Sequence, residues 1–226
     1  MIKRKRKRSL LKSRVRTGLG VLFLTLGFAA GAESRPISAS PRPNAIPPLL
    51  AESGMKLPVL VDNNPLIDRY FYAEPALSLY IEESGKKSLL DVGYSDIFIR
   101  NAEKMGIDLR RLDYVIISHG HQDHTWGLDP LMRLLTEAEF EHLAHLRPTI
   151  LAHPSAFFPK KTGQGTPIGS MISEKGLAVH FPVKLSAEPV WLTKNLLYLG
   201  EIERKTSFEG KRTIGRIVKI VGEAPG

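Results

Sequence analysis

Residues Asp113-Tyr114-Val115-Ile116-Ile117-Ser118-His119-Gly120-His121-Gln122-Asp123-His124 decide how this chain is read. Asp113 to Ser118 is a short, β-branched, largely apolar run, as a strand buried on both faces requires. Four metal-binding side chains follow within six residues. Imidazole nitrogens and a carboxylate oxygen suit a borderline divalent ion, so the set points to zinc, with iron or manganese as alternatives. His119 and His121, two apart in an extended segment leaving a strand, project to the same side and can chelate one ion. Asp123, the candidate catalytic carboxylate, and His124 point to a second position nearby. Two ions about 3.5 to 4 Å apart can share a hydroxide, acidify that water and neutralise charge on an attacked carbonyl or phosphoryl group. Hydrolysis is the chemistry implied. The alternative, a polar loop that gathers these residues without a ligand, explains a lone histidine better than it explains four donors directly after a buried strand.

Working outward, the chain reads as α/β. Leu57 to Val61 and Ala76 to Ile81 suit strands, Ser84-Gly85-Lys86-Lys87 a turn, and Ser88 to Val92 the strand returning from it. Ser95 can cap a helix through Ile97, Phe98, Ala102 and Met105 that Gly106 stops. A helix from Leu128 presents Leu131, Leu134 and Leu135 on one face, and Thr149 to His153 is a further strand. Gly and Pro density between Pro154 and Val190 predicts long loops, with Lys160-Lys161 in a mobile basic loop, and Lys194 to Gly200 and Ile214 to Val221 close the series as strands. Strands with helices between them suggest a sandwich with mixed sheets.

The formal charge of +9 is concentrated at the start of the chain. Nine basic residues lie between Lys3 and Arg16, leaving 23 basic against 23 acidic residues in the other 210. The body is neutral, so the charge argument for a nucleic-acid partner disappears. Gly18 to Ala29 is apolar but too short to span a bilayer comfortably, and Ala30-Gly31-Ala32 follows it. This order describes a secretory signal peptide over residues 1–32, cleaved after Ala32, and hence a periplasmic or secreted protein. An uncleaved membrane anchor, or a cytoplasmic protein starting at Met55, is the alternative. Residues 33–54, rich in Pro, Ser and Ala, read as a linker, and 55–226 as one domain. The absence of cysteine excludes disulfides, thiolate metal sites and a lipoprotein anchor.

His-x-His-x-Asp-His after a strand resembles the signature of the metallo-β-lactamase superfamily. Val59 to Asn64, Leu89 to Gly93, Ala152 to Phe157 and Leu199 to Ile202 resemble its branch containing dihydropterin ribofuranosylaminobenzene phosphate synthase-type proteins. The resemblance implies an αβ/βα sandwich with metals at one edge, a small-molecule substrate, His119 and His121 on a first metal, Asp123 and His124 on a second, and Asp91 orienting the metal loop. Read alone, Asp91 is as well explained as a turn-capping carboxylate. Two departures matter. The family's downstream Gly-Cys-Ser-His and Gly-Gly-Phe-His segments have no counterpart here, so each site keeps two protein ligands where three plus water are usual. An incomplete second half is therefore expected, with apolar surface that a partner, a second copy of the chain included, would cover. His142 and His145, three apart on an expected polar helix, read as solvated. His153 is the candidate substrate contact or substitute ligand. Trp126 either lines the substrate mouth or packs against the following helix, with packing favoured.

Two functional classes follow. One is a metal-dependent hydrolase of ester, phosphoester or lactam-like bonds; the other is an impaired member that binds metal weakly or serves only in interactions. A nuclease of the same superfamily fits poorly with a neutral body and an export signal.

Overall fold

In the computed structural model, residues 54–65, 70–208 and 213–218 are described. The signal-peptide reading and all but Gly54 of the linker lie outside them.

The strands are β1 Val59–Val61, β2 Ser78–Glu83, β3 Lys86–Leu90, β4 Tyr114–Ile117, β5 Thr149–Ala152, β6 Lys160–Lys161, β7 Val183–Leu185, β8 Val190–Trp191, β9 Leu197–Tyr198 and β10 Arg216–Ile217. The helices are α1 Ile97–Lys104, α2 Gln122–Thr125, α3 Leu128–Phe140 and α4 Glu174–His180. Six strands form one mixed sheet in the order β1-β2-β3-β4-β5-β7. β1, β2 and β3 pair antiparallel, and β3, β4, β5 and β7 run parallel, as α/β reading expects. β8 with β9, and β6 with β10, make two short ribbons, so among the described residues there is one large sheet rather than two.

Local chemistry explains the elements. Ser84 and Gly85, both at positive φ (49° and 75°), form a two-residue turn whose twist matches the flanking strands, so the hairpin tip is tighter than the four residues expected and β3 starts at Lys86. α1 ends where Gly106 takes φ 72°; its amide reaches the Glu103 carbonyl at 3.0 Å and that of Ile107 the Ala102 carbonyl at 2.9 Å. The expected Ser95 cap is displaced by one residue. Asp96 is the N-cap and makes no side-chain bond, while Ser95 Oγ accepts from the Ile97 amide (3.3 Å) and donates to Glu74 (2.6 Å). Asn101, buried on α1, donates to the Leu60 and Tyr72 carbonyls (2.7 and 2.9 Å), pinning β1 to the helix.

Phe98 and Ala102 of α1, Leu128, Leu131 and Leu135 of α3 and Leu177 of α4 share one core with Leu89, Val115, Ile117, Ile150 and Ala152 of the sheet. Three expectations are corrected. α4 and β7 occupy the stretch read as loop: Ser173 caps α4 by accepting the Gly176 amide, and β7 is held against β5. Lys160–Lys161 is a strand paired with β10, not a mobile loop. α3 stops at Phe140, so His142, at φ 55°, and His145 lie beyond it instead of on a helix.

β3, β4 and β5 are neighbours in register, with Leu90 opposite Ile116 and Ile117 opposite Ala152. Asp91, Ser118 and His153 therefore leave the carboxyl ends of three adjacent parallel strands side by side, where open α/β sheets place ligand sites.

Candidate metal centre

Asp91 is fully buried at φ 55°, a conformation that aspartate tolerates better than most residues. Its Oδ1 accepts the Ser118 amide at 2.8 Å, and its Oδ2 accepts the Ser118 hydroxyl and His124 Nδ1, each at 2.7 Å. A carboxylate at the end of β3 thus holds the metal-type motif at the end of β4.

These contacts decide which nitrogen of each histidine carries a proton. The Ser118 hydroxyl gives its proton to Asp91, so it can only accept from His119 Nδ1, 3.0 Å away. The Ile214 carbonyl accepts from His121 Nε2 at 3.0 Å, and Asp91 accepts from His124 Nδ1. What remains facing inward is His119 Nε2, His121 Nδ1 and His124 Nε2. His119 Nε2 and His121 Nδ1 are 3.1 Å apart, and His124 Nε2 is 3.3 Å from Asp123 Oδ2. Two lone pairs at such distances repel unless a proton or a cation lies against both. Two nitrogens bound at 2.0–2.1 Å to a tetrahedral zinc ion are about 3.3 Å apart, so both pairs have the spacing of ligands on one ion. Among the described residues no three His, Asp or Glu side chains form a metal-holding group, so the donors come as two pairs.

Electrostatics separate the pairs. Burial, with the neighbouring His124 and His121, pulls the His119 imidazole down to about 4, keeping it neutral at pH 7. Burial also works against a charged His124, but the hydrogen bond and charge of Asp91, joined by Asp123, outweigh it and raise its pKa. A proton shared with Asp123 satisfies the second pair; a cation is the other group that does.

His119, His121, His153, Ser155, Lys160, Glu201, Arg204 and Arg216 are among the residues lining an open cleft of about 1020 Å³. His153 sits in this cleft as its place after β5 suggested, but bonds to Ser155 instead of joining the other histidines. Trp126 packs on Tyr94, not on the helix that follows it as expected: its ring lies 4.9 Å from that of Tyr94, and its Nε1 donates to the Gly169 carbonyl at 2.9 Å. Sequence reading placed Lys160 in a mobile basic loop and assigned no role in the site to Ile214. The Ile214 carbonyl is 93 residues from the histidine it orients, and only folding brings them together. The Lys160 ammonium closes the turn after β5 by donating to the carbonyls of Ser155 (2.9 Å), Ala156 (2.8 Å) and Phe158 (3.1 Å).

Burial lowers Lys160 to about 8 against those three acceptors, which favour its charged form. An unfolded lysine titrates near 10.4, so between about pH 8 and 10 the unfolded chain binds the extra proton and this residue's contribution to stability rises with pH. Urea midpoints of the parent should therefore gain on those of Lys160→Met across that window, and parallel pH profiles would contradict the assignment.

The metallo-β-lactamase superfamily model matches residues 72–197. The chain belongs to that superfamily. A Methanocaldococcus jannaschii protein named 7,8-dihydropterin-6-methyl-4-(β-D-ribofuranosyl)-aminobenzene-5'-phosphate synthase is 33% identical over 152 residues, spanning 64% of this chain and 50% of that protein. An uncharacterised protein of the same organism is 28% identical over 152 residues, 67% of this chain and 55% of the other. A solved metal-dependent hydrolase of the β-lactamase superfamily aligns with a TM-score of 0.48 at 27% identity, over 64% of this chain and 47% of that one. The chain spans about half the length of the curated relatives it matches.

Proposed function

We propose that this superfamily member is a metal-dependent hydrolase of a small molecule with an ester, phosphoester or lactam-like bond. The observation that carries the reading is the pairing of inward lone pairs, His119 with His121 and His124 with Asp123, while every outer histidine nitrogen is already bound to an acceptor. His119 and His121 would hold a first ion and Asp123 and His124 a second; a bound zinc, iron or manganese ion would supply Lewis acidity and an acidified water. The chain's own work is to fix tautomers. Asp91 keeps the His124 proton on Nδ1, Ser118 and Ile214 do the same for the outer nitrogens of His119 and His121, and burial keeps His119 neutral. Asp123, partly exposed and paired with His124 Nε2, would be the carboxylate available to take a proton from the attacking water.

A second reading has its own support. Two protein donors per position, with no group of three among the described residues, suit a member that binds metal weakly and turns over little or nothing. The relative named a synthase also means that chemistry in this branch need not end in net hydrolysis.

Metal content per chain after incubation with zinc, compared with His121→Ala, separates the readings. Two equivalents in the parent, falling to one or fewer in the variant, support the hydrolase. Near-zero metal in both supports the weak binder. A panel of activated esters, phosphodiesters and a β-lactam then assigns the bond class.

A further inference from the structure

The turn after β5 carries a second constellation in the same cleft. His153 Nδ1 accepts the Ser155 backbone amide at 3.1 Å, so it carries no proton, and Ser155 Oγ, 2.8 Å away, must be donating to it. The ring proton therefore sits on Nε2, which faces Glu201 Oε2 at 3.6 Å. Ser155, His153 and Glu201 all line the cleft that also contains His119 and His121. A hydroxyl hydrogen-bonded to an imidazole, with a carboxylate on the imidazole's far side, is the arrangement that activates a serine, whatever the fold that supplies it.

We propose that Ser155 is a nucleophile towards activated carboxylic esters, with His153 as its base and Glu201 as the residue that positions His153. Ser155 Oγ bonds to the ester carbon while its proton passes to His153 Nδ1, and the carbonyl electrons move onto oxygen. Collapse of this adduct breaks the bond to the leaving alcohol, which takes the proton back from Nδ1 and leaves an acyl-serine. Water, giving a proton to His153, then attacks the acyl carbon; Ser155 leaves with that proton and the acid is released. Glu201 stabilises the imidazolium in both halves, and the Lys160 ammonium, 2.9 Å from the Ser155 carbonyl, keeps positive charge beside the turn. No step needs a metal ion, so the proposal goes beyond the metal reading and stands or falls separately. A serine two residues after a histidine can also make the same contact merely as a turn cap, and reactivity distinguishes the two.

The test treats the full chain with excess chelator and then an alkyl fluorophosphonate, and follows adducts by intact mass and peptide mapping. The expected result is one adduct per chain on Ser155, absent in Ser155→Ala and formed at least about 100-fold more slowly in His153→Gln, the scale of a lost general base. Glu201→Gln should slow labelling while Glu201→Asp restores most of it, a rescue that a packing role would not produce. Metal content of Ser155→Ala should equal that of the parent. No adduct on Ser155, or equal Ser155 labelling rates in the parent and folded His153→Gln, overturns the proposal, and the parent alone decides the matter should that variant fail to fold.

Discussion

Asp91→Ala is expected to lose about 3–5 kcal/mol of unfolding free energy, the scale for removing one partner from a buried charged network, together with most of any metal the parent binds. The carboxylate is fully buried and takes three protons, from the Ser118 amide, the Ser118 hydroxyl and His124 Nδ1. Alanine removes the acceptor of all three donors, at about 1–3 kcal/mol for each that stays buried and finds no other partner. It also places a less tolerant residue at φ 55°. The proposed loss of metal follows from tautomers: freed of Asp91, the Ser118 hydroxyl can rotate to donate to His119, and His124 can carry its proton on Nε2, the nitrogen that faces Asp123. Asp91→Asn separates shape from charge. It keeps volume and tolerates the backbone, but offers one acceptor oxygen and turns an NH₂ towards the remaining donors, so it should fall between the two. Urea unfolding and metal content per chain read both effects, and an alanine variant within about 1 kcal/mol of the parent, binding equal metal, would sink this account of Asp91.

The position of Asp91 shows what was legible in the sequence and what was not. β4 and the motif after it were readable because both depend on neighbours in the chain: Val115, Ile116 and Ile117 must be buried, and the residues following them must reach the sheet edge. α1 and α3 were readable from apolar spacing and from Gly106. β7 and α4 were missed because three strand residues with only partial burial carry almost no periodicity, and what holds them is pairing with β5 and the burial of Leu177. In the site, residue types and their spacing directly after β4 suggested the four candidate ligands, and resemblance suggested Asp91. The bonds that make the histidines usable come instead from groups without a sequence signature: a serine hydroxyl, and a backbone carbonyl 93 residues away. The same limit explains Glu201, whose place opposite His153 depends on the chain returning past the end of β5.

Gly120→Ala should cost about 1–3 kcal/mol or more, the range for forcing extra carbon into a packed site, and should reduce metal binding. A Cβ at Gly120 would lie 1.7 Å from the Ala156 carbonyl oxygen, 2.7 Å from its carbon and 2.5 Å from Lys160 Nζ. The lysine end can swing aside, but the carbonyl belongs to the turn after β5 and cannot move alone. Relief must come from shifting that turn or the segment that carries His119 and His121, which would disturb their 3.1 Å separation. Gly163→Ala is the control, because a Cβ there meets nothing within 4 Å, and it should stay within about 0.5 kcal/mol of the parent. Equal urea midpoints and equal metal content for the two variants would contradict the prediction. Gly120 is thus required by close approach, not by an unusual φ: the absent side chain lets the carbonyl that Lys160 grips lie directly against the backbone between His119 and His121. Lys160 and Gly120 therefore act on one contact from opposite sides, and Lys160→Met should soften the penalty of Gly120→Ala by freeing the turn to move.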